Sequence, residues 1–456
     1  MPKLSGRIVK YPARASFIWY SGLILLGSLA LLHPVCRTNS AVKISVLDSV
    51  FTSTSAACVT GLAVRSTEND FSFLGQAVIL LLIQLGGIGI MTVTTFVLLS
   101  FGRGASLRSR LVIRETLGGG TNSDLGWILR RVLLITAISE GVGFLILAVR
   151  FLFQLPFQTA LWHALFHSIS AFCNAGFALH DDSLSLYRTD PIVNLTVSAL
   201  IVVGGLGFPV ILDLERNWNG TLKDRWLGLG LHSKIMLIGT TALLAFGFCS
   251  FLGLEWNGVL KDDAIWSKPF IALFYSASCR TAGFNTVDLT QLSEATIFFT
   301  ILLMIVGAGP CSTGGGFKVS SMMVLVLRAW STFRGRRLIS VFRRTIPDSV
   351  TDRTTTTGMI FGTIAALALT MLLLTEEHFN SQAADEFLAW LFEVVSALGT
   401  VGLSLSKTSD LSVIGRVIII VLMILGRLGP ISVFVAFSKT ERNLPIEYSH
   451  EEPLIG

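Results

Sequence analysis

Four short segments of this 456-residue chain resemble one another and recur at nearly even intervals. They are Ser55-Ala-Ala-Cys-Val-Thr-Gly61-Leu62, Ser170-Ala-Phe-Cys-Asn-Ala-Gly176-Phe177, Ala277-Ser-Cys-Arg-Thr-Ala-Gly283-Phe284 and Ser396-Ala-Leu-Gly-Thr-Val-Gly402-Leu403. Each ends in a glycine followed by a large apolar residue, and the glycine-to-glycine steps are 115, 107 and 119 residues. An internal repeat constrains the fold before any local pattern does. The flanks repeat too. A long apolar stretch comes first, then a shorter one before the glycine, then a polar loop and a second long stretch. A transmembrane helix needs about 20 apolar residues, whereas a run of about 10–14 suits a re-entrant segment. Each copy therefore reads helix, half-helix, irregular loop, helix. Irregular backbone at membrane depth is tolerated only when buried in protein or lining a watery cavity, so the repeat predicts a pore.

Composition agrees and excludes the alternatives. Charged residues make up 14% and hydrophobic ones 52%, whereas soluble domains carry about 25% charge. Charge this sparse cannot coat a soluble body of this size. Six cysteines spread along the chain, with no CxxC pair and no metal-ligand spacing, exclude a disulfide scaffold. No segment between the copies is long enough to fold as a soluble catalytic domain, so no enzyme is expected. The copies run in one direction and are therefore parallel, unlike the inverted repeats of many carriers. The expected fold is an all-α polytopic membrane protein with four parallel helix–pore-helix–filter-loop–helix repeats around one central pore.

The repeats are placed at 17–101, 125–216, 232–328 and 354–437. They are joined by links at 102–124, 217–231 and 329–353, with a segment 1–16 before them and a tail 438–456 after. The net charge of +6 carries no implication of nucleic-acid binding, because in a membrane protein the position of the charges is what informs. Most Lys and Arg lie in the first 16 residues, the links and the tail, and residues 328–353 alone hold seven. Positive loops stay inside, so both termini and the links are expected in the cytoplasm. The basic run Arg334–Arg344 also suits lipid headgroups.

A dehydrated monovalent cation needs a cage of oxygens in place of its water, and backbone carbonyls supply one when glycine lets the chain aim them inward. Potassium channels build such a filter from four TVGYG loops; here one chain carries four loops, and Thr400-Val401-Gly402 repeats the TVG core. The expected ion-binding residues are Val59, Thr60 and Gly61; Asn174, Ala175 and Gly176; Thr281, Ala282 and Gly283; and Thr400, Val401 and Gly402. The only metal ion expected is one at these loops. Asn174 is expected to contribute its carbonyl, its side-chain amide bonding neighbouring filter strands. His167 reads as a packed or hydrogen-bonded core residue. The buried acids Asp48, Glu140 and Glu393 form no evident proton relay.

The second long helices also share glycines. Gly86, Gly204 and Gly426 fall 25, 28 and 24 residues after their filter glycines. The third copy instead runs through Gly307, Ala308, Gly309, Pro310, Cys311, Ser312, Thr313, Gly314, Gly315 and Gly316 to Phe317 and Lys318. Glycine costs a helix up to about 1 kcal/mol and proline about 3, so this segment is expected to break the helix as a flexible gate. It fails the phosphate-loop pattern, and no nucleotide site is expected. Arg427 occupies the register of Gly87 and Gly205. A buried cation in mid-membrane costs at least about 2.5–3.5 kcal/mol and is a functional candidate; it is expected just below the filter, touching the gate.

With SAxxVTGL-like, HSxSAFxNAGF, SARTAGFN-like and SAxxTVGLS elements in its four copies, the chain resembles the Trk/Ktr/HKT superfamily of potassium transporters over about residues 17–437. Only about 16 residues precede the first helix, which places the resemblance nearest the bacterial KtrB-type membrane subunits. The resemblance implies K+ uptake across the bacterial cytoplasmic membrane. It implies a homodimer with one pore per subunit, and a cytosolic KtrA-type ring of nucleotide-binding subunits. It also implies Na+ as an activator and an intramembrane gating loop at Gly307–Lys318. A glycine such as Gly61 in the first copy goes with K+ preference in this superfamily; a Na+ or mixed-cation path, or a different coupling ion, is the alternative. Arg280 also resembles an arginine of the relatives, and is expected behind the filter beside a carboxylate.

Overall fold

The computed structural model describes residues 12–38, 44–102, 125–336, 338–379 and 386–429. Most of the expected segment 1–16, nearly all of the link 102–124, the end of the fourth repeat at 430–437 and the tail 438–456 lie outside these residues.

Long apolar runs form long helices and the short runs form short ones. The first copy consists of α1 (Pro12–Leu32), α2 (Val46–Ala57) and α3 (Phe73–Gly102). The second has α4 (Leu125–Phe151), α5 (Phe157–Cys173), α6 (Pro191–Leu206) and α7 (Phe208–Arg216), and α8 (Leu222–Gly228) follows in the link. The third has α9 (Leu231–Glu255), α10 (Lys268–Ser278), α11 (Glu294–Ile305) and α12 (Val319–Phe333). A hairpin of β1 (Ile339–Val341) and β2 (Arg344–Ile346) precedes the last copy, α13 (Asp348–Phe379), α14 (Phe387–Gly399) and α15 (Val413–Leu428). Helices α2, α5, α10 and α14 have 12, 17, 11 and 13 residues. At 1.5 Å per residue they reach roughly 16–26 Å, short of a bilayer core of about 30 Å.

The order of packing closes a ring. In copies 1, 2 and 4 the short helix packs on both long ones and in copy 3 on α9, and the following helix packs on the short helix of the next copy: α3 on α5, α6 on α10, α11 on α14, and α15 back on α2. Four parallel copies thus surround one axis, as the repeat predicts. Side chains cap the helices that follow the loops. Ser72 accepts from the Gly75 N–H, Asp190 from Ile192 and Val193, Ser293 from Thr296, and Ser412 from Gly415. Such caps satisfy backbone donors that the first helical turn leaves open.

Glycines set how closely the helices meet. A Cβ on Gly86 would overlap the Ala57 carbonyl, one on Gly204 that of Phe172, and one on Gly426 that of Leu398. Each of those carbonyls lies four residues before the ring glycine of its copy. The repeated inner-helix glycine is therefore a seat for the end of a short helix. Gly204→Ala is expected to destabilise the protein by about 1–3 kcal/mol, the usual cost of overpacking. A thermal midpoint of the detergent-purified variant equal to that of the parent would refute this account.

Three stretches differ from their sequence-based outline. The second long stretch of copy 2 is two helices, α6 and α7, bent by 94° at Gly207, whose φ of +92° suits glycine. A Cβ there would also overlap the Pro310 carbonyl. The last long helix begins at Asp348, six residues ahead of the expected repeat boundary. The basic link contains the β1–β2 hairpin, with Ile339 opposite Ile346, and both isoleucines are buried with Ile235 and Val324. Its turn places Phe342 and Arg343 at φ of +51° and +61°, positions where hairpins prefer Asn-Gly, so no turn signal marks it in the sequence.

Candidate functional site

The four repeated glycines come together. A Cβ on Gly61 would lie 2.6 Å from the Ala175 carbonyl oxygen, one on Gly176 would lie 2.9 Å from Ala282 O, and one on Gly283 would lie 2.5 Å from Val401 O. One on Gly402 would overlap Thr60 O. The ring therefore closes in chain order, each glycine against the carbonyl that precedes the next one. All four have positive φ, at +94°, +71°, +75° and +92°, where L side chains are strained. No residue but glycine meets both demands.

Two residues earlier the backbone is also left-handed. Val59, Asn174, Thr281 and Thr400 have φ of +56°, +59°, +72° and +51°. This conformation is a genuine outlier for β-branched residues, and such strain persists only where surrounding structure over-determines it. Serines on the short helices supply part of that surround. Ser55 and Ser396 accept from the N–H of Gly61 and Gly402 at 3.1 Å. Ser170 and Ser278 donate to the carbonyls of Phe177 and Phe284. The Asn174 amide and the Thr281 hydroxyl share a hydrogen bond of 3.3 Å between adjacent strands. The short helices end at these loops, so their negative dipole ends face the ring.

On one side the ring opens into a vestibule of about 310 Å³, whose wall includes Arg65, Thr67, Asp181, Asn285, Ser404 and Thr408. Ion pairs tie the copies together around it. Asp48 receives Arg65 at 2.8 Å and, from the last copy, Arg416 at 2.7 Å. Arg188 pairs with Asp263 at 2.5 Å, and Asp181 accepts from Ser66 and Asn69. Glu393, fully buried on α14, accepts from Ser404 and Thr408 just past the ring. His167 holds the equivalent place in copy 2, where its Nε2 accepts from the Leu179 N–H at 3.5 Å. Glu140 is bonded by Gln84 at 3.0 Å. The buried acids thus brace loops and helices, each in its own pocket.

On the other side of the ring the chain from Gly307 to Gly316 is non-helical and bonds or abuts copies 2, 3 and 4. Thr313 N–H donates to Gly204 O at 3.2 Å, and its hydroxyl to Phe172 O at 3.1 Å. Gly309 N–H donates to Gly205 O at 2.8 Å. Gly315 N–H donates to the Thr400 hydroxyl at 3.1 Å, and a Cβ on Gly314 would overlap the Thr281 hydroxyl. Pro310 and Cys311 lie along α7, whose Phe208 N–H donates to Cys311 O at 3.1 Å. Ser312 donates to Gly309 O at 2.6 Å, and Ala308 accepts from Val319 N–H at 3.3 Å.

Two cations hold this loop. Lys318 Nζ donates to Gly314 O at 2.7 Å and Gly315 O at 3.3 Å. Arg427, 3% exposed, donates to Thr313 O from Nη1, to Gly86 O from Nη2 at 2.8 Å and to the Tyr20 hydroxyl from Nε at 3.2 Å. Its partners are loop and helix oxygens of copies 1 and 3; among the described residues it forms no carboxylate pair. Tyr20, whose own hydroxyl donates to Gly86 O at 2.7 Å, was not legible as part of this cluster.

Arg280 corrects an expectation. It is buried, but its Nη1 donates to Thr240 O on α9 at 3.5 Å, and no carboxylate pairs with it among the described residues. It follows the last turn of α10, where the negative helix end stabilises a cation without an acid.

Comparison with known proteins accords with this architecture. The chain is 37% identical over 448 residues to "Ktr system potassium uptake protein B" of Vibrio alginolyticus, covering 97% of this chain and 94% of that protein. It is 33% identical over 440 residues to "Potassium/sodium uptake protein NtpJ" of Enterococcus hirae, covering 95% of each. The crystal structure of the potassium transporter TrkH from Vibrio parahaemolyticus superposes with a TM-score of 0.72 at 19% identity, covering 92% of this chain and 83% of that one, a likeness of fold. Residues 25–445 match the TrkH family of cation transport proteins, and with relatives this similar along nearly its whole length, the chain belongs to that family.

Proposed function

We propose that this protein carries K+ into the cell through the ring of four glycine loops. The observation that carries the reading is the closure of that ring, with a backbone oxygen of each copy beside the glycine of the one before it. Carbonyls of Val59 and Thr60, Asn174 and Ala175, Thr281 and Ala282, and Thr400 and Val401 are the oxygens that would replace the ion's hydration shell. The names of the relatives, a potassium and a potassium/sodium uptake protein, support the ion assigned.

The segment Gly307–Gly316 would then be the gate. It lies against the ring on the side away from the vestibule, tethered by Lys318 and Arg427. A cation entering from the vestibule meets the guanidinium of Arg427 after the ring, and the loop must move before it passes. A cytosolic nucleotide-binding partner fits as the controller, because a partner that binds the two loop arrangements unequally shifts their populations. The Ktr name of one relative supports a system of several components. We place the protein in the bacterial cytoplasmic membrane as a homodimer, with its vestibule outside and termini inside. The repeats then span 17–101, 125–216, 232–328 and 354–437, and Na+ acts as a stimulator.

The test is K+ uptake in cells lacking their own uptake systems. Expression is expected to restore growth at low K+, with a faster rate when Na+ and a nucleotide-binding subunit are supplied. No uptake under any of these conditions, with the protein present in the membrane, would refute the reading. Equal Na+ and K+ flux would favour the mixed-cation alternative.

A further inference from the structure

One position on the short helices separates the four copies into two kinds. Nine residues before the ring glycine stand Thr52, His167, Phe274 and Glu393, in chain order. The Thr52 hydroxyl has no hydrogen-bond partner, and Phe274 has no polar atom to offer. His167 and Glu393 instead reach past the ring to the chain that leaves it. The ring closes in chain order, so copies 2 and 4 face each other across its axis.

The two contacts share a target. His167 Nδ1 meets the His163 carbonyl at 2.7 Å and so carries the hydrogen. That leaves Nε2 as the acceptor for the Leu179 N–H at 3.5 Å, and Leu179 is the third residue after Gly176. Glu393 accepts from the hydroxyls of Ser404 and Thr408, the latter at 3.0 Å. These flank Leu405, the third residue after Gly402, and the N–H groups of Leu405 and Lys407 also face the carboxylate. Both side chains are fully buried. Among the described residues no Lys or Arg pairs with Glu393. A buried carboxylate without a cation depends on its hydrogen-bond donors, and here the loop after the ring supplies them. Ser404 and Thr408 line the vestibule beside Gly402, so the tie runs from behind the filter to its outer edge.

We propose that Glu393 and His167 are positioning residues for ion selection. They hold the vestibule-side ends of two facing loops and thereby fix where the carbonyls of Thr400 and Val401, and of Asn174 and Ala175, stand. Asn174 and Thr400 carry left-handed backbone at the other end of the same loops, and such strain persists only where the surroundings over-determine it. Releasing the outer end gives the loop a way to relax. The choice between K+ and Na+ depends on the number and setting of the oxygens around the ion, so a relaxed loop selects less well. Bonds to a charged acceptor are the stronger ones, and Glu393 draws several, so its loss outweighs that of His167. The effect on selection rests on the K+ reading, whereas the tie between helix and loop does not.

The test reads loop and transport separately on the full chain. Glu393→Met fills the same space without an acceptor. In detergent it is expected to speed amide hydrogen exchange across residues 403–408 at least about tenfold, the factor that one hydrogen bond to a charged group carries. In proteoliposomes it should lower the preference for Rb+ over Na+ by at least about tenfold on the same ground, and His167→Leu should act in the same direction by less. Glu393→Gln keeps an acceptor oxygen, and its amide can meet the hydroxyls of Ser404 and Thr408, so it is expected to recover most of both losses. Thr408→Val removes one loop donor and leaves α14 intact, which keeps the test available where Glu393→Met fails to fold. Exchange and preference unchanged in Glu393→Met, or in Thr408→Val where that variant replaces it, overturn the proposal. A Glu393→Gln variant as poor as Glu393→Met assigns the effect to charge and overturns the hydrogen-bonded positioning. Faster exchange with unchanged preference keeps the tie and overturns its role in selection. A parent protein that passes no Rb+ overturns the transport reading, and the exchange rates still decide the tie.

Discussion

Arg427→Gln is expected to raise K+ or Rb+ flux at least about tenfold at equal protein level. A unit charge roughly 5 Å from a passing cation, at an effective dielectric near 20, opposes it by about 3 kcal/mol, and 1.4 kcal/mol already corresponds to a factor of 10 in rate. The guanidinium also ties the re-entrant loop down through Thr313 O while holding Gly86 O and Tyr20. Glutamine removes the charge and reaches at most part of that set, so barrier and tether weaken together. Tracer uptake into proteoliposomes, normalised to protein in the membrane, measures the effect. A well-folded variant with unchanged flux would make Arg427 a strut between α15, α3 and the loop, and would remove it from the gate. Partial deletion of the loop between Ser312 and Gly315 should act in the same direction, because it takes away the obstruction itself.

The second large effect is expected at the ring. Gly402→Ser should reduce discrimination between K+ and Na+ at least about tenfold. Its φ of +92° is strained for any L side chain, and a Cβ would overlap Thr60 O of the neighbouring copy. Left-handed backbone costs a non-glycine residue roughly 1–2 kcal/mol, and the neighbouring carbonyl has to move as well. Either adjustment shifts an oxygen proposed to face the ion. About 1.4 kcal/mol of lost ion binding is already tenfold. Competition of Na+ against Rb+ uptake reads this directly. Gly61, Gly176 and Gly283 stand in the same geometry, so unchanged selectivity in all four serine variants would exclude the ring as the filter.

Much of the molecule follows from local rules. The repeat spacing dictates four equivalent units, because chance does not align four glycines with four short apolar segments. Segment length separates the short helices from the spanning ones, since α10 with 11 residues cannot cross a bilayer. The crowding of glycine around Pro310 excludes a helix there, whatever surrounds it. A glycine in each loop is legible too, because only glycine leaves the backbone free and the space empty.

What the chain's neighbours decide is different in kind. Val59, Thr281 and Thr400 are β-branched, and their own preference opposes the left-handed backbone they adopt; packing around the loops imposes it. The 94° break after Leu206 falls where Pro310 O of the copy-3 loop lies close against Gly207, an approach between residues about a hundred positions apart in the chain. Arg416 meets Asp48 across 368 residues, and Arg427 meets Tyr20 across 407. Arg280 looks in sequence as if it needs an acid and takes a carbonyl instead. By itself the sequence determines how many units there are, how long most segments are and that the run around Pro310 cannot be helical, since propensity and hydrophobic length act within one stretch of chain. Which charge meets which oxygen depends on closing the ring, because only then are the last copy and the first brought side by side.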